Sequence, residues 1–328
     1  MGYIFDALKN RLLGHETPDD GVAHQPHRAG GDTTDDLQPA AADTVSFQTD
    51  QAPTASPQAA LPDKEAAPGP FKFEDRTNLI DNDALATDDR LVTLSRPSCT
   101  MAEEYRSVRT GMLARWDHRR HLVHTITSAT PQEGKTITTL NLGFTFAELR
   151  NRRVVIVEAD LRLPQFEKMI SLPSLPGLTD LLEGRVDLSQ AVHRLANDRL
   201  HVITAGQRVN NRRAVQLLSS SKMVSLIQTL RNSYDHVIID TPPVIELADA
   251  GILGTISDEV MLIVRMNRTP RPLVEQAIRT LTSYNAVVGG VIATDRPPQR
   301  SRRYYNKYGY KHGYGYSYNK SHASQQAA

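Results

Sequence analysis

Residues 127–136 read TSATPQEGKT, and this stretch decides the fold of the chain. It follows an apolar run at Leu122–Thr127 and opens a helical pattern that extends to Leu149. A loop that ends in Gly-Lys-Thr between a strand and a helix is typical of a phosphate-binding P-loop, here with Ala129 in place of the usual first glycine. Because the amides of such a loop and the positive end of its helix attract phosphate, the segment predicts nucleotide binding.

The chemistry of the loop is consistent with ATP and Mg²⁺ as ligands. Lys135 is predicted to neutralise the β- and γ-phosphates, and the Thr136 hydroxyl is predicted to be a ligand of Mg²⁺. The predicted nucleotide-binding residues are Ala129, Thr130, Pro131, Gln132, Glu133, Gly134, Lys135, Thr136 and Ile137, with Arg162 farther along the chain.

Three acidic residues follow two other apolar runs. Glu158 and Asp160 come at the end of Val154–Val157, and Asp240 ends His236–Ile239. In a parallel sheet the carboxyl ends of the strands share one edge, so these carboxylates should face the phosphate loop. They suit a Mg²⁺ ion and a general base. Arg162 either pairs with these carboxylates or touches phosphate.

The rest of this region alternates apolar strands with helical patterns. Continuous apolar runs between helices indicate a parallel sheet that is buried on both faces. We therefore predict an α/β fold of the P-loop NTPase type, a parallel sheet flanked by helices. The other predicted strands are Leu200–Thr204, Val260–Val264 and Val288–Ile292, and the helices are Thr136–Leu149, Ala214–Arg231, Ala248–Thr255 and Pro272–Tyr284.

The two ends of the chain differ in composition from its middle. Residues 1–15 place apolar side chains close to one helical face, which favours either an amphipathic docking helix or a short frayed one. Residues 16–95 are acidic and rich in Ala and Pro, so they are predicted to be a disordered linker before a folded domain at residues 96–296. Residues 297–328 are basic and are predicted to be a disordered tail.

The overall composition excludes some classes of protein. The net charge is +1, so a specific nucleic-acid partner is not expected. No apolar run approaches the roughly 18 to 20 residues of a membrane span, and Cys99 is the single cysteine. These features favour a cytoplasmic protein.

The three motifs, together with Gly177–Gly184 and Leu217–Ser220, resemble the bacterial tyrosine kinases of capsule and exopolysaccharide systems. The resemblance runs from about Ala102 to Thr294 and makes residues 96–296 a P-loop tyrosine kinase domain. It implies that Lys135 and Thr136 bind ATP·Mg²⁺. It also implies that Asp160 and Asp240 organise the metal and that Glu158 or Asp160 deprotonates the incoming tyrosine.

The chain departs from the family pattern at two places. Glu158 stands where the family usually has aspartate, so the base remains open between Glu158 and Asp160. The stretch Asn211-Arg-Arg-Ala214 stands where many members have Asn-Pro before an acidic residue, and this change is expected to alter the subunit contact or the rim of the nucleotide site.

Glu103, Arg106 and Arg109 match a family pattern that serves ring-like self-assembly. At this spacing the three side chains lie on or near one helical face. Spacing alone favours an ordinary solvated face, whereas the resemblance implies a contact between subunits of a ring-like homo-oligomer.

The tail contains a cluster of tyrosines that a kinase could phosphorylate: Tyr304, Tyr305, Tyr308, Tyr310, Tyr314, Tyr316 and Tyr318. They stand among Gly, Asn, Lys and Arg, so each phenol is expected to be accessible. The alternative is an aromatic basic tail that binds nucleic acid or polysaccharide by stacking.

The resemblance therefore implies a protein-tyrosine autokinase that phosphorylates this cluster in trans and regulates polysaccharide polymerisation and export. It also implies a separate membrane-spanning activator that recruits the chain to the inner face of the cell membrane. Two alternatives are a switch ATPase of the MinD/ParA type, which carries a signature lysine where this chain has Thr130, and a non-catalytic nucleotide-sensing adaptor. Asn267 and Arg268 are candidates for adenine recognition by position.

Overall fold

The computed structural model describes residues 79–80, 88–116, 120–172, 174–195 and 199–294. The predicted docking helix, most of the predicted linker and the tyrosine tail lie outside these residues. The description below therefore concerns the predicted kinase domain and the short segments that precede it.

An eight-stranded sheet forms the centre of the described chain, in the order β1-β4-β5-β3-β6-β2-β7-β8. Its six strands from β5 to β8 in this order are parallel, as predicted. The strands are β1 Leu79–Ile80, β2 Leu122–Ser128, β3 Val154–Glu158, β4 His193–Leu195, β5 Leu200–Ile203, β6 His236–Asp240, β7 Glu259–Arg265 and β8 Val288–Thr294.

One edge of the sheet differs from the predicted parallel arrangement. β4 pairs with β5 in the antiparallel sense, and β1 pairs with β4 in the parallel sense. β1 and β4 therefore run opposite to the other six strands. Both are only two or three residues long, which explains why periodicity did not reveal them.

Ten helices are described. They are α1 Val92–Ser95, α2 Thr100–Arg115, α3 Lys135–Ala147, α4 Phe166–Met169, α5 Leu178–Glu183, α6 Leu188–Ala191, α7 Asn211–Leu218, α8 Ser221–Ser233, α9 Asp249–Gly254 and α10 Arg271–Ser283. None of these described helices combines the length and the apolar composition that a membrane span requires.

Helices cover both faces of the sheet, which is why its strands are apolar at consecutive positions. Ile156 of β3 and Ile238 of β6 join one core with residues of α2 and α3. Their neighbours Val155 and Ile239 join a second core with residues of α7 and α8 on the other face. All five residues of β3 and of β6 are buried.

The predicted helix at Ala214–Arg231 is two helices, α7 and α8, because the chain breaks at Ser219 and Ser220. Ser220 has an extended backbone, and its hydroxyl accepts a hydrogen bond from the amide of Met223. This is an N-cap, which starts a new helix rather than continuing the old one. The apolar period continues across the break, so the periodicity alone predicted one element.

Residues 88–95, which composition assigned to the linker, pack on the domain. Leu91 and Val92 are almost completely buried, at 0% and 1% exposure. Thr93 of α1 donates from its amide and its hydroxyl to the side-chain oxygen of Asn141 in α3, at 3.1 and 2.9 Å. These few contacts order a segment whose composition resembles a linker.

Candidate active site

The predicted phosphate loop connects β2 to α3 at the carboxyl edge of the sheet. Gly134 has a φ of 95° and Gln132 a φ of 64°, so both adopt left-handed backbone. Only glycine adopts that conformation without a steric cost, which explains Gly134 directly before Lys135. The loop therefore turns sharply into the N-terminus of α3, where the first backbone amides of the helix have no acceptor within the helix.

Glu133 holds this loop against its neighbours instead of facing outward. Its Oε1 accepts hydrogen bonds from the hydroxyls of Thr130, at 2.6 Å, and Thr269, at 2.8 Å. Its backbone carbonyl accepts from the hydroxyl of Thr294 at 2.8 Å. The side chain of Glu133, which the sequence analysis assigned to nucleotide contact, thus fastens the loop to the segment after β7, and its carbonyl fastens the loop to the end of β8.

Two pairs of side chains meet at the start of α3. The Lys135 Nζ lies 3.4 Å from Asp160 Oδ2. The Thr136 hydroxyl donates to Asp240 Oδ2 at 2.8 Å, and the Thr139 hydroxyl donates to Asp240 Oδ1 at 3.1 Å. The structure thus brings Lys135, Thr136, Asp160 and Asp240 together, as the motifs predicted.

Asp240 is a buried carboxylate with an altered acidity. Burial raises its pKa to about 6, and the charge of Lys135 and the hydrogen bond from Thr136 partly oppose that effect. Asp160 is also nearly buried, and its Oδ1 accepts from the amide of Leu163 at 3.1 Å. The position of Asp160 is therefore set by the turn that follows β3.

Glu158 has a different environment. Its Oε1 accepts hydrogen bonds from the amides of Gln165 and Phe166, and its Oε2 accepts from the amide of Ala205 at 3.1 Å. Burial raises the pKa of Glu158 to about 7, and the hydrogen bonds from these three amides partly oppose that rise. The carboxylate therefore joins the N-terminus of α4 to the loop after β5, and both of its oxygens are occupied.

Arg162 pairs with a carboxylate that the sequence analysis did not single out. Its guanidinium forms a two-pronged ion pair with Asp249, the first residue of α9, which is fully buried. It also donates to the side chain and the carbonyl of Asn211 at 2.9 and 3.2 Å. Its partners thus come from α7 and α9. Asp249 lies 87 residues away in the chain and belongs to no motif, so no sequence signal marked it.

The predicted assembly motif lies on α2 and makes contacts within the chain. Arg106 donates to both carboxylate oxygens of Glu148, at 2.8 and 2.6 Å. Arg109 donates to the carbonyl of Thr145 and lies 3.2 Å from Glu148. The Glu103 side chain stays 65% exposed, although Arg106 contacts it. Both arginines thus fasten α2 to the end of α3, and the predicted subunit contact remains a prediction.

A cavity of about 370 Å³ borders the phosphate loop on the side of α1 and α2. Gln132, Gly134, Ile137 and Thr138 contribute to its lining from the loop and α3. The predicted adenine residues lie close by, since Arg268 Nη2 is 3.5 Å from Gln132 Oε1. The seven predicted phosphorylation sites of the tail lie outside the described residues.

Comparison with known proteins identifies a matching family model and similar chains. Residues 131–286 match the model of the AAA domain family. The chain is 31% identical to the tyrosine-protein kinase YwqD of Bacillus subtilis (strain 168) over 220 residues, 67% of this chain and 90% of YwqD. It is 29% identical to the succinoglycan biosynthesis transport protein ExoP of Rhizobium meliloti (strain 1021) over 61% of this chain, and it spans only 26% of ExoP.

A solved structure shows the same fold. The kinase domain of the Escherichia coli tyrosine kinase ETK superposes with a TM-score of 0.59 at 25% identity, covering 63% of this chain and 81% of that domain. The chain therefore belongs to the bacterial protein-tyrosine kinases, a family of nucleotide-binding enzymes built on the P-loop fold.

Proposed function

We propose that this chain is an ATP-dependent autokinase that transfers the γ-phosphoryl group to tyrosines in the tail of an adjacent subunit. The observation that carries the proposal is the convergence of two pairs, Lys135 with Asp160 and Thr136 with Asp240, at the mouth of the phosphate loop. The mouth of the loop thus contains a cation that can bind phosphate, oxygen atoms that can bind a metal ion and a carboxylate that can accept a proton.

Lys135 and the loop amides would bind the phosphates of ATP. The N-terminus of α3 adds a positive partial charge at this point, and the adjacent cavity has room for the nucleoside. We place the adenine at the Gln132 side of this cavity, near the turn at Asn267 and Arg268, because Arg268 contacts Gln132.

The donor set at Asp240 fits Mg²⁺, which prefers oxygen ligands from carboxylates, hydroxyls and phosphates. Thr136 and Asp240 would hold the ion, with Asp160 close by. When bound, Mg²⁺ would neutralise the charge of the phosphates.

Asp160 is our proposed general base. Glu158 already accepts three backbone hydrogen bonds, whereas within the described part of the chain Oδ2 of Asp160 has Lys135 Nζ as its one polar partner. In the reaction the tyrosine oxygen would attack the γ-phosphorus, the bond from that phosphorus to the bridging oxygen would break, ADP would leave, and Asp160 would take the phenolic proton. Positioning and charge stabilisation supply most of the catalysis in such transfers.

The pH dependence of metal binding tests the role of Asp240. Because its pKa is raised to about 6, the ionised form predominates above pH 6 and is lost below it. We expect the Mg²⁺-dependent part of ADP affinity to fall by up to about tenfold for each pH unit below 6. Calorimetric titration at pH 5 to 8, with Mg²⁺ and with EDTA, measures this fall.

The matched control is Asp240→Asn. Proton uptake by the phosphates of ADP affects both proteins equally, so the wild type should show the steeper fall. Equal pH profiles for the two proteins would contradict a metal-binding role for Asp240.

The proposed substrate is the tail cluster that comprises Tyr304, Tyr305, Tyr308, Tyr310, Tyr314, Tyr316 and Tyr318. Each phosphorylation adds about 1.5 to 2 negative charges at pH 7, so several would reverse the charge of this basic segment. We propose that the change releases the tail from a neighbour and loosens a homo-oligomer in which Glu103 of α2 contributes an exposed charge.

The proposed setting is polysaccharide synthesis and export at the inner face of the cell membrane. ExoP, which is similar in sequence to this chain, is named for succinoglycan biosynthesis and transport, and this similarity supports the proposed setting. A separate membrane-spanning activator would recruit the chain there and stimulate the kinase.

A mixture of two chains, neither of which can phosphorylate its own tail, tests transfer between subunits. One chain is Lys135→Met with an intact tail, and the other is active but ends after Pro298. We expect Mg²⁺·ATP to give phosphotyrosine on the tail of the Lys135→Met chain when the two are mixed with an activator, as measured by mass spectrometry. Phosphotyrosine in the wild type combined with none in the mixture would show transfer within one chain instead.

A further inference from the structure

A cleft of about 740 Å³ lies beside the proposed catalytic turn and takes no part in the proposed reaction. It is formed where the loop after β5 meets the start of α7. That loop is tied to the turn after β3, since the amide of Val209 donates to the carbonyl of Leu161 at 3.1 Å. The residues that line the cleft are Arg162, Arg208, Val209, Asn210, Asn211 and Arg212.

Two of the three arginines in this cleft carry uncompensated charge. Arg162 is neutralised by Asp249. Arg208 and Arg212 are exposed, and neither has a hydrogen bond or an ion pair with any residue that the structure describes. The neighbouring Arg213 shows the contrast, because it pairs with Glu183 at 2.9 Å. Two free guanidinium groups beside a cleft are suited to carboxylates, which they can bind through paired hydrogen bonds.

We propose that the acidic segment at residues 16–50 of the same chain docks in this arginine cleft. The segment holds eight carboxylates and one basic residue other than histidine, Arg28. Its acidic residues are Glu16, Asp19, Asp20, Asp32, Asp35, Asp36, Asp43 and Asp50. The charges of the segment and the cleft are therefore complementary.

The direction of β1 is consistent with this docking. β1 runs antiparallel to β5 through its pairing with β4, and Leu79 is level with His201, so β1 starts from the direction in which β5 ends. The loop that carries Arg208 starts at that same end. β1 is two strands away from β5, which is roughly 10 Å. β1, the first described strand after the acidic segment, thus starts from the direction of the end of the sheet that carries the cleft.

The intervening chain is long enough for docking. Residues 51–78 separate Asp50 from β1, and a stretch of that length can extend to roughly 90 Å. Individual surface ion pairs are weak, so the tether matters, because it raises the local concentration of the acidic segment at the cleft. Docking of this kind is sensitive to salt. It would cover the approach to Leu161 and Arg162.

Cysteine cross-linking in the full chain tests the proposal without relying on kinase activity. In a Cys99→Ser background, Thr34→Cys places a thiol beside Asp35 and Gln207→Cys places one beside Arg208. We expect mild oxidation at low salt to form the disulfide between positions 34 and 207 within one chain. The rate should exceed that of a Thr34→Cys and Gln276→Cys pair, which probes the exposed face of α10, by roughly tenfold. Peptide mass spectrometry measures both rates.

Charge variants distinguish docking from chance collision. Arg208→Glu and Arg212→Glu, alone or together, should reduce the rate towards that of the control pair, as should about 0.5 M salt. The distant Arg279→Glu should leave it unchanged, and Arg212→Lys, which keeps the charge but loses the paired hydrogen bonds, should reduce it less than Arg212→Glu. The proposal is overturned by equal rates at positions 207 and 276, or by disulfides that form only between chains. A further outcome is that position 207 cross-links only to Gly309→Cys in the tail, and only after ATP is added. This outcome would identify the phosphorylated tail as the occupant of the cleft and would also overturn the proposal.

Discussion

Lys135→Met should remove tail phosphotyrosine almost completely, with a fall in autophosphorylation rate on the order of 10³-fold. Lys135 supplies the cation at the start of α3, beside Asp160. Methionine keeps the length and the apolar stem of the side chain but loses the charge that would stabilise the transferring phosphoryl group. Mass spectrometry of tail peptides after incubation with Mg²⁺·ATP and an activator measures the effect.

Lys135→Arg is the control, because it keeps the charge but changes the shape and reach of the cation. It should retain more activity than Lys135→Met. Thermal unfolding without nucleotide should be similar for the two variants, since the Lys135 side chain is partly exposed and has one ion pair. Tail phosphorylation that survives Lys135→Met at the wild-type rate would contradict the proposed phosphate site.

Asp160→Asn should lower the rate of phosphotransfer by roughly 10²–10⁴-fold while nucleotide still binds. The amide keeps the shape of the side chain and can still accept from the amide of Leu163. It cannot take a proton from tyrosine. Single-turnover phosphorylation measured beside ADP affinity separates the loss of the base from a loss of binding.

Glu158→Ala provides the contrast, because it should affect folding more than the chemical step. Three amides, that of Gln165 and the buried ones of Phe166 and Ala205, would lose their acceptor. The free energy of unfolding should fall by on the order of 3 kcal/mol, measured by urea denaturation. If Glu158→Ala is as stable as the wild type and lacks phosphotransfer, whereas Asp160→Asn is active, the assignment of the base is reversed.

The pH dependence of stability follows from the same carboxylate. The pKa of Glu158 is raised to about 7 in the folded chain. The folded state therefore holds a proton that the unfolded state releases between the ordinary carboxylate pKa and 7. The contribution of this group is fully present below its unfolded pKa and is lost as the pH rises through 7. The three amides favour the ionised form, which limits this loss.

One departure from the family pattern, the two arginines at the start of α7, contributes to the arginine cleft. Where many relatives are expected to have proline and an acidic residue, this chain has Arg212 and Arg213. Arg213 pairs with Glu183 and stabilises the approach of α7 to α5, whereas Arg212 extends the positive charge of the cleft. The two neighbouring arginines thus have different roles, one within the domain and one towards a partner segment.

The sequence by itself determined the phosphate loop, the parallel strands from β5 to β8 and the carboxylates at their ends. These features are local. A strand, a glycine turn and a helix follow one another within fifteen residues, and the carboxyl ends of parallel strands must share an edge. The meeting of Thr136 with Asp240 could therefore be predicted, although 104 residues separate them.

Only the tertiary structure decided which groups neutralise the remaining charges. Arg162 met Asp249, Glu158 met the amide of Ala205, and Arg106 met Glu148, across 87, 47 and 42 residues respectively. No period or motif marks such partners, because a buried charge takes whichever complementary group the packing of helices brings within reach. The different surroundings of Asp160 and Glu158 also depend on the tertiary structure. Backbone amides from two loops surround Glu158, and they leave Asp160 facing the lysine of the phosphate loop.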